Sequence, residues 1–238
     1  MIKKLTLIIG FIICLSSCGK DYVYRIEGEL SNLEDQTVYA VFEKDNYKVV
    51  DTVACTKPGQ FQIDQNEAGF HCVTIFFADK EHWVTAYLEP GETVKITGDA
   101  NSPLLLQVKG GRTNDKLAAF KKKIAPLLTE LTNLSNSLNS KDLNDTIEET
   151  DIAARLANVN MQLSEEAIRY VKENPNEEAS VVLIQSFFSD PDDTRKIDEL
   201  LALLNPRLKD FYHGKGSWSN IAPVRNVRLW VRKPQISP

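Results

Sequence analysis

The hydrophobic period of this chain changes once, at Gly110-Gly111, and that change dictates what it can fold into. Before it, apolar residues come in short runs, many alternating with polar ones. A strand turns every second side chain to the same face, so such runs read as strands. After it, Leu117, Phe120, Ile124, Leu127, Leu131, Leu134 and Leu138 recur at alternating spacings of 3 and 4, a helical seam. Strands followed by helices predict an α+β chain. Its β half is antiparallel and sandwich-like over residues 24–111, and a helical region over 112–213 packs on it.

The strand signals are specific enough to place turns. Val38–Phe42 is a short apolar run, and Val49–Cys55 is β-branched. Lys57-Pro58-Gly59-Gln60 has Pro second and Gly third, the type II pattern. Phe61–Asp64 alternates after it, so the flanking runs read as a hairpin. Val73–Phe77 and Val84–Leu88 follow as strands. Glu89-Pro90-Gly91-Glu92 repeats the turn pattern before the alternating Thr93–Thr97, and Leu104–Val108 reads as the last strand.

In the helical half, Thr113 or Asn114 suits the cap position of the first helix. Pro126 lies inside its seam and predicts a kink or a split. A second stripe, Ile152, Leu156, Val159, Leu163, Ala167 and Tyr170, follows a short polar loop, so the two helices form an αα-hairpin. Asn174-Pro175-Asn176 ends it, and a short apolar helix runs from Glu177 to Phe188. Asp190, with Pro191, Asp192 and Asp193, starts another whose inner face is Ile197, Leu200, Leu201 and Leu204.

The N-terminus carries an address. Lys3-Lys4 precedes Leu5–Leu15, an apolar run of 11 residues, too short to span a bilayer and typical of a secretory signal. Leu15-Ser16-Ser17-Cys18 then resembles the lipobox of bacterial lipoproteins. That resemblance implies alkylation of the Cys18 thiol by diacylglycerol, removal of residues 1–17, acylation of the new N-terminus with a palmitate-type chain, and a tether over 18–23. The expected location is the cell envelope, at the outer membrane, facing the periplasm or the surface, with the lipid bilayer as the first partner.

After Cys18 the chain carries 26 basic and 33 acidic residues, a formal −7, which argues against nucleic acid as a partner. The basic residues are uneven. Residues 214–238 form a tail with five basic residues, no acidic one and two tryptophans. Trp218, Arg225, Arg228, Trp230 and Arg232 are of the types that dominate interfaces. Two readings stay open: the tail folds back on the acidic body, or it contacts a partner.

No catalytic constellation accompanies this architecture. His71, His82 and His213 have no metal spacing with one another or with the cysteines, so no metal or cofactor is expected. There is no Gly-rich phosphate loop, no Gly-x-Ser-x-Gly and no Cys-x-x-Cys. Cys55 and Cys72 sit on or beside neighbouring strands. They are either a structural disulfide, which export permits, or two free thiols.

An ordered set of turn motifs carries a family resemblance. Val49-Val50-Asp51-Thr52-Val53, Gly59-Gln60-Phe61, the run from Leu88 to Gly98, and Val108–Asp115 are similar to the domain of unknown function that precedes the thioredoxin-like module of Bacteroidetes thiol-disulfide oxidoreductase lipoproteins. The resemblance covers roughly residues 24–213. In that family a Cys-x-x-Cys module follows; this sequence stops where it would begin. Two function classes follow. One is a lipid-anchored, non-catalytic binding or scaffolding module. The other is a component or truncated form of an envelope thiol-disulfide system, with a thioredoxin-like protein as partner. Glycan binding, with Trp83 and Tyr87 lining a sugar site, is a third reading by fold analogy.

Overall fold

In the computed structural model of the chain, residues 22–34, 37–44, 47–77, 82–139, 146–188 and 195–208 are described. Eight strands come first: β1 (Tyr24–Ser31), β2 (Thr37–Lys44), β3 (Tyr47–Ala54), β4 (Gln60–Gln65), β5 (Cys72–Phe76), β6 (Trp83–Tyr87), β7 (Thr93–Asp99) and β8 (Gln107–Lys109). Among the described residues the helices α1 (Arg112–Asn139), α2 (Thr146–Glu173), α3 (Glu178–Phe188) and α4 (Arg195–Leu203) follow. The α+β architecture is the one that the change of period predicts.

The strands form two four-stranded sheets, ordered β4-β1-β7-β8 and β3-β2-β5-β6. Alternate residues of each sheet meet in one core. Ile26, Phe61, Ile63, Val94 and Ile96 of the first sheet face Val38, Ala40, Phe42, Val73 and Ile75 of the second. Every pairing is antiparallel except one: β1 and β7 run parallel, with Ile26 opposite Val94.

Two of the connections between the sheets are the Pro-Gly turns. Both have the expected geometry, with Gly59 at φ +76° and Gly91 at φ +81°. Both close a bond from the fourth N–H to the first carbonyl, Gln60 to Lys57 and Glu92 to Glu89. Neither joins a hairpin. β3 pairs with β2 along its whole length, whereas β4 pairs with β1. The first turn therefore carries the chain from the second sheet to the first, and Glu89–Glu92 does so again between β6 and β7. The hairpin expected over 49–64 is a sheet-to-sheet crossing. At its corner a Cβ on Gly59 would lie 1.9 Å from the Leu30 carbonyl oxygen, so only glycine fits.

Two further expectations change. Pro103–Leu105 is a 3-10 turn, and the last strand is only Gln107–Lys109. α1 is not split at Pro126: one helix runs through it, with the Pro126 side chain exposed. Its buried stripe is Phe120, Ile124, Leu128, Leu131 and Leu134, while Leu117, Leu127 and Leu138 are half-buried beside it. Those residues meet Ile152, Leu156, Val159, Leu163 and Ala167 of α2, the expected αα-hairpin. Val181 and Ile184 of α3 and Ile197, Leu200 and Leu201 of α4 complete this second core. The helix start expected at Asp190, with Pro191, Asp192 and Asp193, lies outside the described residues.

Candidate ligand-binding cleft

The helical half abuts one end of the sandwich, where β6 and β8 are the edge strands among the described residues. In the β5–β6 ladder, Leu88 N–H bonds to His71 O and Phe77 N–H to His82 O. The alternation of an antiparallel pair then makes Cys72 and Tyr87, Thr74 and Thr85, and Phe76 and Trp83 the non-bonded pairs. The N–H and C=O of Trp83, Thr85 and Tyr87 therefore point off the open edge.

Asn114 closes that edge at Tyr87. Its Oδ1 accepts the Tyr87 N–H at 2.9 Å, and its Nδ2 donates to the Tyr87 carbonyl at 2.7 Å and the Gly110 carbonyl at 2.6 Å. A buried side chain stands in for the missing neighbouring strand. Thr113 and Asn114, expected as caps, thus do something else. Thr113 Oγ1 donates to Glu178 at the start of α3, at 2.9 Å. The first N–H groups of α1 are met from outside, by Glu89 Oε1 at Thr113 N–H, and the Asp115 carboxylate reaches back to Gly110 N–H at 3.0 Å. The joint is tight: a Cβ on Gly110, at φ +101°, would lie 2.0 Å from the Thr93 carbonyl oxygen.

Below this joint, the outer face of β6 and the facing sides of α1 and α3 enclose a cleft of about 180 Å³. Strand alternation sends Val84 and Ala86 into the sandwich core and leaves Trp83, Thr85 and Tyr87 for the cleft. Helical spacing brings Leu117, Lys121, Ile124 and Leu128 to the same wall, and Phe187 of α3 closes it. Trp83, Thr85, Lys121, Ser186 and Phe187 are only half-buried, so the cleft reaches solvent.

Lys121 is the cation of this wall. Its ammonium donates to the carbonyl of buried Leu106 at 2.8 Å. No carboxylate among the described residues pairs with it. Burial pushes its pKa down to about 8, with no acidic neighbour to hold it up.

The cysteines lie on opposite faces of the second sheet. Cys55 packs at the margin of the sandwich core, and Cys72 is buried outward against Tyr87 and Val182. No disulfide joins Cys55 to Cys72. Burial, and secondarily the Glu43 carboxylate across the ladder, pushes the Cys72 thiol far above its ordinary range. Such a thiol does not supply the thiolate that disulfide exchange requires. Glu43 itself is buried and takes Lys48 Nζ at 2.7 Å.

Cys18, His213 and the tail residues Trp218, Arg225, Arg228, Trp230 and Arg232 lie outside the described residues. His71 and His82 are half-buried where the β5–β6 ladder ends. Among the described residues no group of three or more His, Cys, Asp or Glu side chains is placed to hold a metal, and no helix is long and apolar enough to cross a membrane. Of the cleft residues, sequence reasoning singled out Trp83 and Tyr87, together with Leu117 and Ile124 as seam positions. It missed Lys121, whose only signal is a lysine one turn from apolar seam residues.

No curated protein and no solved structure matches the chain. Residues 24–117, which take in both sheets, the glycine joint, the Asn114 clamp and the first cleft residue of α1, match the family model described as Domain of unknown function (DUF4369).

Proposed function

We propose that the chain is a lipid-anchored envelope lipoprotein whose folded part is a non-catalytic binding module, with the cleft between β6, α1 and α3 as its binding site. The observation that carries the binding role is the cleft itself, apolar, open to solvent and furnished with a few polar groups, the usual composition of a small-molecule site. Leu15-Ser16-Ser17-Cys18 after a short apolar run supports the anchor. The burial of Cys72 favours binding over thiol chemistry.

Three measurements test this. Cells fed labelled palmitate should label the wild-type chain and not Cys18→Ser; equal labelling sinks the anchor. The full-length chain, isolated from membranes, should release a co-purifying small molecule in native mass spectrometry. Turnover of a model disulfide that disappears in Cys55→Ser or Cys72→Ser would instead make the chain a redox component.

A further inference from the structure

We propose that the cleft binds small apolar carboxylates, with the carboxylate taken by the Lys121 ammonium and the Thr85 N–H and the apolar body lying against Ile124, Leu128 and Phe187. This rests on the binding-module reading and names the ligand class of the same site.

Size sets the first limit. A cleft of about 180 Å³ is slightly larger than the cavity of about 150 Å³ that is enough for benzene. The fit is one aromatic ring or a chain of roughly eight carbons. A whole sugar with its hydroxyls finds too few partners here, because Ile124, Leu128, Leu117, Leu104 and Phe187 offer none.

Charge sets the second. Lys121 lines an otherwise apolar wall, and one carbonyl takes one of its three protons. A half-buried ammonium set among apolar side chains with no acidic neighbour among the described residues is costly to keep. The acid that would match it is missing from the described fold. A ligand carboxylate supplies it through a charge-assisted bond, whereas a cationic ligand would be repelled and a neutral one would leave the ammonium unmatched. Burial of the amine agrees with this, since a carboxylate would restore the proton affinity that burial removes.

Thr85 adds direction. Its N–H and C=O point off the open edge of β6, two residues before the point where Asn114 closes it, and Thr85 lines the cleft. The strand N–H and the ammonium line the same cleft, and together they offer a carboxylate two donors. The source of the ligand, a fatty acid or an aromatic acid, is left to the probes.

The test uses the full-length chain in nanodiscs, with empty nanodiscs subtracted. Radiolabelled octanoate should be retained saturably. Unlabelled octanoate or phenylacetate should displace it, the better of the two naming chain or ring. 1-Octanol should displace it at least tenfold more weakly, and octylammonium not at all. Lys121→Met should weaken octanoate at least tenfold and leave octanol unchanged. Ser186→Phe, which fills the cleft, should abolish retention of both; if it fails to fold, Lys121→Met decides. Octanol bound as tightly as octanoate, or octanoate bound equally by Lys121→Met, overturns the carboxylate assignment while the binding module stands. Retention of neither probe overturns the cleft as a site for apolar molecules, and palmitate labelling still judges the anchor alone.

Discussion

Asn114→Ala should be among the most damaging single substitutions in this protein, although it removes only one amide. The wild-type side chain is 2% exposed and makes three hydrogen bonds, at 2.9, 2.7 and 2.6 Å, to the Tyr87 N–H, the Tyr87 carbonyl and the Gly110 carbonyl. The two Tyr87 groups face away from β5, because Tyr87 occupies a non-bonded position of that ladder. Alanine removes all three bonds. Each buried orphan costs about 1–3 kcal/mol, and a water entering the space left by the amide recovers part of that. The expected loss is about 3–5 kcal/mol out of a total stability of about 5–15 kcal/mol. The assay is equilibrium urea unfolding followed by far-ultraviolet circular dichroism for the helices and near-ultraviolet dichroism for the β half. Asn114→Asp keeps the acceptor but turns a second oxygen toward two carbonyls. At neutral pH it should be at least as unstable as the alanine variant. Its carboxyl should have a raised pKa in the folded state, so the deficit should shrink as the pH falls through that value. A loss under about 1 kcal/mol for Asn114→Ala would refute the edge-clamp argument.

Other outcomes follow from the same geometry. Lys121→Met should stabilise the ligand-free protein at pH 7 by at most about 2 kcal/mol, since the wild-type ammonium is held at about 8 against an ordinary 10.5 and the Leu106 carbonyl left without its donor offsets part of the gain. The unfolded chain binds the extra proton between those values, so wild-type stability should rise with pH across that window and the variant's advantage should vanish, as read by melting temperature. Cys72 should resist alkylation until the protein unfolds, while Cys55, half-buried, should react first; mass spectrometry of timed samples checks the order. Gly110→Ala should lower stability by more than the ordinary helix or turn penalty, because its Cβ meets the Thr93 backbone; a variant within about 0.5 kcal/mol of wild type in urea would contradict this. Deleting residues 217–238 separates the two readings of the basic tail: lost melting temperature means fold-back, and lost envelope cross-links mean docking.

What the sequence alone determined is what depends on near neighbours. The period change at Gly110-Gly111 divides strands from helices because side-chain direction repeats every 2 residues in one and every 3.6 in the other. The Pro-Gly pairs at 58–59 and 90–91 had to be tight turns because φ is restricted at proline and free at glycine. The stripes from Phe120 to Leu134 and from Ile152 to Ala167 had to be buried because nothing else hides that much apolar surface. What the tertiary structure decided is which surfaces meet. A type II turn fits a crossing between sheets as well as it fits a hairpin, and only the pairing of β4 with β1 rather than β3 settles which. An asparagine before a helical run looks like a cap in sequence. Its use as a substitute strand depends on β6 ending with its edge open 27 residues earlier in the chain. Lys121 reads as one more solvated lysine until Leu106 and the outer face of β6 close around it. Its lowered proton affinity, like the cleft, is a property of three elements brought together, because desolvation and charge pairing act through space rather than along the chain.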